Sequence, residues 1–573
     1  MKKNKLFVLL IVLALLSAVM LTPAAAAGKP ASVTVQILAF NDFHGALDPA
    51  LTKPGTPPTT DQTKWYYRGG AEYLANFVNA AVATNPNTVK VSAGDMIGAS
   101  PLLSAAFHDE PTINAFNLMG FDFSAVGNHE FDEGWQELLR LQKGGCHPVD
   151  GCYTGVPEFT GANFQYLTAN VIRLDKDKLL FKAYAVKKIG GVKVGFIGVS
   201  LESTPTIVVP SSVEGLEFTA EVAAINQYAK MFKDEMGIQA IVVLLHDGAA
   251  AGPTINSCKT TDPFFANVVM NLDPEIDALI TGHTHNAYNC QVQVNPSYDP
   301  MIVTGAGYNG RYLTDIDLTI AGNKGQVIAR SANNIPVETP YLTAAPDPAM
   351  KALLDQYRVA IAPIANAVVG SITADITRTG NAAGESALGD VIADAQLEFT
   401  APAANGGSVI AMTNPGGIRT DLTMAISGGE QLGQVTYAEA FAVQPFSNLM
   451  VAMDLTGQQL KDVLEQQFVG CGQPVNGQKI LQVSAGFTYS WSISAPCGSK
   501  IFNMMLNSTP IDPATTYRVT VNNFLAGGGD NFTKFTAGTN LYTSGVDLDA
   551  FVAYITAHSP VAPGLQNRIT VVP

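Results

Sequence analysis

The chain has 573 residues, a length that points to two or more domains and away from a single small binding module. Forty-eight Asp and Glu against 33 Lys and Arg leave a formal charge of −15, which argues against partnership with a nucleic-acid polymer, because such a surface needs clustered bases. Hydrophobic residues at 47% argue against a disordered chain.

At the start, Lys2, Lys3 and Lys5 precede an apolar run from Leu6 to Val19 broken only by Ser17, and Ala24 to Ala27 follow as a small-residue cleavage region. This pattern predicts a signal peptide over residues 1–27. The alternative, an uncleaved anchor, fits less well, because the run is short of the ~20 residues that span a bilayer. An exported chain, periplasmic or extracellular, is expected, with no membrane span after cleavage and a charge of −18 once three lysines are removed. Export makes the six cysteines legible. Cys146 and Cys152, Cys258 and Cys290, and Cys471 and Cys497 fall into three sequence-local pairs, and nearest-neighbour disulfides are favoured because the intervals are short.

From Val33 to about Ile335, short β-branched runs alternate with polar turns and helical stretches. The runs are Val33–Phe40, Thr88–Ser92, Val192–Val199, Ile241–Leu245, Ala278–Thr281 and Met301–Thr304. Several lack strict alternation, as strands covered on both faces do. An α/β domain is predicted over 28–335. A Pro- and Thr-rich break then leads to a linker over 336–366, with a connector helix over Asp347–Ile361 that has Asp347 as its cap, Pro348 in its first turn and Pro363 just past its end. Residues 367–573 read as a second, α+β domain, with strands Val451–Leu455 and Tyr517–Val521, a glycine-rich loop at Gly527–Gly529, and a helix opened by a Thr456/Gln459 capping box.

The residues that carry chemistry follow the first domain's strands. They are Asp42-Phe43-His44, Gly94-Asp95, Gly127-Asn128-His129-Glu130-Phe131-Asp132, His246-Asp247 and Gly282-His283-Thr284-His285. Ligands gather at the carboxyl ends of strands in open α/β sheets, so turns spread over some 240 residues can share one site. Carboxylates, imidazoles and one amide oxygen suit hard-to-borderline divalent metals. Asp42 and His44 are two apart, a spacing that in an extended segment points both the same way, and His283 and His285 repeat it. Asp95 could bridge two cations through its two oxygens. Any one of these histidines alone would read as a packed or surface residue. Five of the eight lie in such turns, whereas His108, His147 and His558 do not.

In this order the motifs resemble the calcineurin-type metallophosphoesterases, and the second half narrows the resemblance to the bacterial 5′-nucleotidase and 2′,3′-cyclic phosphodiesterase family, over essentially the whole mature chain. The resemblance implies sandwiched mixed sheets flanked by helices, then an α+β nucleotide-binding domain. It also implies two divalent ions (Zn, Mn, Co or Fe), one held by Asp42, His44, Asp95 and His285 and the other by Asp95, Asn128, His246 and His283. Some relatives carry Gln or Asn at the position of His285. His129 then faces the phosphoryl group as a catalytic residue, and Asp132 orients and charges it. Asp132 also reads as an acid at a helix N-terminus, and Glu130 reads as structural.

The second domain is where specificity is sought. Asn414-Pro415-Gly416-Gly417-Ile418-Arg419 is a tight turn followed by a cation suited to phosphate. Phe446 and Phe524 sit in loops, where isolated aromatics are more often core than base platforms. By resemblance these two rings stack the base, Asp530 accepts from ribose hydroxyls, Arg419 binds the phosphate and Asn448 contacts the base edge. Arg378 matches one of the family's two arginines, while the second position is Ala382, a departure that fits broader or cyclic substrates. Asn414 reads equally as a turn or a substrate contact. The expected function is hydrolysis of nucleoside 5′-monophosphates by attack of a metal-bridging hydroxide. A 2′,3′-cyclic phosphodiesterase, a UDP-sugar hydrolase, a thiosulfohydrolase and a non-catalytic nucleotide-binding surface protein are the rivals. A small nucleotide is the expected partner, and the chain is expected to be a monomer or weak dimer.

Overall fold

A computed structural model describes residues 32–55, 58–322, 324–427, 429–474 and 477–573. The signal peptide expected over 1–27 lies outside the described residues.

Two six-stranded sheets face each other in the first half. One runs in the order Val327–Pro336, Tyr312–Ala321, Ser32–Phe40, Thr88–Ser92, Phe123–Ala125 and Gln165–Leu167; the other runs Ala287–Val292, Met301–Ala306, Ala278–Thr281, Ala240–Leu245, Val192–Val199 and Tyr184–Ile189. The central strands are parallel; both edges of the second sheet and the Val327–Pro336 side of the first are antiparallel, while the Gln165–Leu167 edge of the first stays parallel, so both sheets are mixed. Val35, Ile37 and Val91 of the first sheet meet Phe196, Val242 and Ile280 of the second in one buried layer. On the far faces, Leu38 and Phe40 pack against Leu74, Ile113 and Phe116 of helices Ala71–Val82 and Glu110–Met119, while Ile241, Val243 and Leu279 pack against Ile225 and Phe232 of helix Glu221–Asp234. Strands with apolar layers on both sides need no polar face, which is why Ala240–Leu245 and Met301–Ala306 are buried at every position.

The helix after the break runs Pro348–Ala365, longer than the sequence reading, and contains Pro363 instead of stopping before it. A helix-interior proline costs most where it removes a needed bond, and this one lies in the last turn. Asp347 caps the helix, its Oδ1 accepting from the backbone N–H groups of Ala349 (3.1 Å) and Met350 (2.9 Å). Met350, Leu354 and Tyr357 are buried in the same apolar cluster as the first sheet's helices, and Arg358 pairs with Asp48 and Glu72. The connector is therefore a packed part of the structure.

Beyond it, a five-stranded sheet (Gln482–Val483, Ile410–Thr413, Thr516–Asn522, Leu449–Thr456, Thr539–Val546) shares a core with a four-stranded one (Thr509–Pro510, Ile501–Leu506, Phe487–Ser492, Ile569–Val572). The Thr456/Gln459 capping box forms in both directions ahead of helix Gly457–Glu465. Disulfides join Cys146–Cys152, Cys258–Cys290 and Cys471–Cys497, leaving no free cysteine among the described residues.

Candidate functional site

The turns after five strands of the two sheets converge. His44 Nε2 lies 3.0 Å from His285 Nε2 and 3.9 Å from Asp42 Oδ1, and His285 Nε2 lies 3.5 Å from the same Asp42 oxygen. Beside this group, His246 Nε2 is 3.1 Å from both Asp95 Oδ2 and Asn128 Oδ1, and His283 Nδ1 is 3.0 Å from Asn128 Oδ1. Asp95 joins the two groups through one oxygen. Its Oδ2 faces His246 and, at 3.9 Å, His44, while its Oδ1 accepts from the His129 backbone N–H at 2.8 Å. The sequence reading had both carboxylate oxygens bridging. The backbone of the GNHE turn has claimed one of them.

A second difference concerns the paired spacings. Asp42, His44, Asp95, His283 and His285 all have positive φ, from 49° to 66°, so the D-x-H and H-x-H pairs converge through left-handed turns and not through strand alternation. Non-glycine residues rarely hold that conformation, and where they do the surrounding structure must impose it. Glu130 is one such constraint. It accepts from the backbone N–H groups of Asp95 (2.8 Å), Met96 (2.8 Å) and Gly127 (2.7 Å), which ties the two turns together. Gly127 is needed for the same closeness, since a side chain there would collide with Asp95 Oδ1.

The electrostatics suit cations. Burial holds His44 neutral, pulling it well below the usual imidazole range; burial with the nearby His246 takes His283 down to about 3, and burial with Arg419 takes His285 to about 4. Burial lifts Asp42 to about 7 against the pull of His246, while the histidines around Asp95 outweigh its burial and hold it well below the carboxylate range. Neutral imidazoles beside buried carboxylates are the donor set a divalent ion requires; His246 differs, since its burial is outweighed by Asp95 and Asp42, which raise it to about 10, so ion binding there would displace a proton. Further contacts orient the rings, with His44 Nδ1 at 3.0 Å from the Gly98 carbonyl oxygen and His246 Nδ1 at 2.8 Å from that of Ala93.

His129 stands at the rim. Its Nδ1 is 2.8 Å from Asp132 Oδ2, which also accepts from the Ala99 backbone N–H at 3.0 Å. Burial lowers the histidine's pKa, but Asp132 and Asp95 outweigh it and the net direction is upward. A cavity of about 250 Å³ opens here, lined by His129, Asp132, Arg419, Phe446, Phe524 and Asp530 among others, with Asn414 and Asn448 also on its wall. The Phe446 ring lies parallel to His129 at 5.9 Å, and the Arg419 guanidinium sits 5.6 Å from the same ring. Phe524 is on a short helix, Asn523–Ala526, where a loop was expected; Gly529 passes so close to its ring that any side chain there would clash.

Arg378 lies apart from that cavity. Its Nη1 donates to the Ile418 carbonyl oxygen at 3.0 Å, and it lines a neighbouring space of about 540 Å³ with His44, His285, Tyr308 and Arg419. Among the described residues only Arg419 faces both spaces. Asp530 is already engaged, by Asn414 Nδ2 at 2.8 Å and by Lys479, and Asn448 donates to Asp547 Oδ2 at 3.3 Å. Sequence reasoning missed Lys479, Asn522, which donates to Asn414 Oδ1 at 3.0 Å, and Tyr308, whose ring stacks on His285 at 5.1 Å. A lone Lys or Tyr in a loop carries no spacing signal. Asn522 had one in its place at the end of a strand, directly before Phe524's segment.

Fold and site together define a two-domain metallophosphoesterase, and the comparisons agree. Residues 35–287 match the calcineurin-like phosphoesterase family and residues 364–537 the 5′-nucleotidase C-terminal domain. The chain is 32% identical to endonuclease YhcR of Bacillus subtilis (strain 168) over 94% of its own length and 41% of that protein's. It is 31% identical to cell wall protein Lmo0130 of Listeria monocytogenes over 91% of its length and 67% of the other's. Among solved structures, a 5′-nucleotidase precursor from Thermus thermophilus superposes with a TM-score of 0.73 at 25% identity, covering 94% of this chain and 99% of that one. The chain belongs to the calcineurin-like phosphoesterases that carry a 5′-nucleotidase C-terminal domain. It spans less than half the length of the Bacillus relative.

Proposed function

We propose that the protein is an exported, metal-dependent phosphohydrolase that converts nucleoside 5′-monophosphates to nucleoside and inorganic phosphate. The observation that carries this reading is that two donor groups joined at Asp95 Oδ2 lie between two adjoining cavities that share Arg419, one reached by Asn128 and His283 and lined by His129, Phe446 and Phe524, the other lined by His44 and His285. Asp42, His44, Asp95 and His285 would hold one divalent ion, and Asp95, Asn128, His246 and His283 the other. Ions bound there would supply Lewis acidity at the phosphoryl group and acidify water.

The chain's own residues do the rest. Arg419, pulled down by burial yet still a cation, positions the phosphate from the wall shared by the two cavities, with Arg378 contributing from the adjoining space. Asp132 accepts from His129 Nδ1 and favours the doubly protonated ring, whose Nε2–H would then donate to a phosphoryl or leaving oxygen as charge develops. Phe446 and Phe524 flank the space for a base, and base–aromatic stacking is worth about 1–3 kcal/mol per base. Asn414, Asn448 and Asp530 offer polar contacts to sugar and base edge. Three disulfides support an exported protein, and among the described residues no helix is long and apolar enough to cross a membrane.

One observation favours a second substrate class. Lys479 places a cation beside Asp530 in the part of the cavity assigned to the sugar, where a 2′,3′-cyclic phosphate would bring negative charge. Phosphate release from AMP, 2′,3′-cyclic AMP, UDP-glucose and ATP separates these readings, using a phosphatase-coupled assay for the cyclic substrate and for UDP-glucose, whose first cleavage products are phosphomonoesters. The proposal predicts fastest turnover of AMP, and exclusive turnover of the cyclic nucleotide or the nucleotide sugar would overturn it.

A further inference from the structure

A second group of metal-type donors lies outside the site just described. His108 sits in the turn before helix Glu110–Met119, while His147 and Asp150 lie on the short loop that Cys146–Cys152 closes. Asp150 Oδ2 is 2.8 Å from His108 Nε2 and 3.5 Å from His147 Nδ1. Four-coordinate zinc with ligand distances of about 2.0–2.1 Å sets its ligand atoms about 3.3 Å apart, and these two separations bracket that value.

The surroundings are those of a ligating histidine. His108 Nδ1, the nitrogen turned away from Asp150, is 2.5 Å from Glu133 Oε2, and a metal-binding imidazole characteristically gives its other N–H to a carboxylate. Glu137 is nearby but committed, since both its oxygens accept from Arg140 Nε at 2.9 Å. The imidazoles are mostly covered, with side chains 17% and 14% exposed, whereas Asp150 at 53% leaves a path from solvent. A cavity of about 280 Å³ extends from His108 and Glu133 to His129 and Asp132, so the cluster lies behind the rim of the candidate active site.

We infer that His108, His147 and Asp150 form a third divalent-cation site, of the borderline class that zinc represents, with Glu133 fixing the His108 ring. Two rearrangements accompany binding. The His108 and His147 rings, stacked at 3.6 Å and 20°, splay so that their lone pairs reach the ion, and His147 Nδ1 releases the Asp150 backbone N–H that it accepts from at 3.1 Å. Ligation through Nε2 displaces to solvent any proton His108 carries there, while its Nδ1 stays on Glu133 Oε2.

The test is a count of Zn²⁺ bound to the full chain after stripping with chelator, reloading and dialysis. In an Asp42→Asn/His44→Ala/Asp95→Asn/His246→Ala background, which removes ligands from both donor groups of the candidate active site, one Zn²⁺ per chain is expected to remain, and adding His147→Ala or Asp150→Asn should remove it. No Zn²⁺ in that background, or one that survives both additions, overturns the inference. Should the background fail to fold, His147→Ala in the otherwise unaltered chain should lower the count by one and leave phosphate release from AMP in place; an unchanged count overturns the site. The result is independent of the proposed activity, because a chain without nucleotidase turnover would still lose one ion on His147→Ala.

Discussion

Around Asp95, two carboxylates and four imidazoles from five strand ends crowd within 3–4 Å, with His44, His283 and His285 held neutral and only His246 raised by the acids beside it. Around Asp530 the polar groups balance one another, with Lys479 on one oxygen, Asn414 on the other and Asn522 completing the chain of amides. The first arrangement is built for cations and the second is a satisfied network that a substrate must enter by exchange. Chemistry should therefore fail when the first is touched, and substrate affinity when the second is.

Asp95→Asn is the harshest way to break that contrast. It should lower kcat by on the order of 10³-fold or more and reduce bound metal, read together by phosphate release and elemental analysis. His129→Ala should cost about 10²–10³-fold in kcat with the metal content intact, because the His129 ring meets the donor groups edge-on at His44 and gives its Nδ1 to Asp132, outside the two donor groups. Asp132→Asn sharpens the same point. His129's pKa is raised by its carboxylate neighbours, so removing one makes the ring lose its proton earlier, and the alkaline limb of the pH–rate profile should move to lower pH. Phe446→Ala probes the other region and should raise KM by about 5- to 150-fold, the equivalent of a stacking loss of about 1–3 kcal/mol, with kcat little changed.

The smallest effect concerns stability at the His108 cluster. Burial pulls the His108 pKa down, but Glu133 and Asp150 outweigh it and raise it to about 9. A histidine raised in the folded state contributes stability that is fully present below its unfolded value near 6.5 and fades as pH rises through about 9. In metal-free protein, His108→Ala should therefore lower Tm more at about pH 6 than at about pH 9.5, and an equal loss at both would contradict the ion-pair assignment.

The two regions also differed in how far their sequence could be read. Strands Thr88–Ser92, Val192–Val199 and Ala278–Thr281 were legible residue for residue, because β-branched and apolar residues concentrate in them, nearly without interruption in the last two, where burial covers both faces, and in alternation around Lys90 in the first. The donors were legible because D-x-H, GNHE and H-x-H cluster directly after those runs. Their left-handed backbone was not, since φ at Asp42 or His285 is imposed by partners such as the Gly94 carbonyl, which accepts from the Asp42 backbone N–H, and such partners are distant in sequence. The second region's Phe446 and Phe524 carried meaning only through family resemblance. Lys479 was invisible, since its contact with Asp530 spans 51 residues and two unrelated loops. Pro363 misled for a simple reason: a last-turn position tolerates a residue that the helix interior would reject.

The most direct test of the two-metal account is phosphate release from AMP by chelator-stripped chain, before and after reloading with divalent metal, in the unaltered protein and in an Asp95→Ala/His129→Ala double variant. Activity that vanishes on stripping, returns on reloading and is absent from the double variant is the predicted result. Release that survives both substitutions would contradict the account.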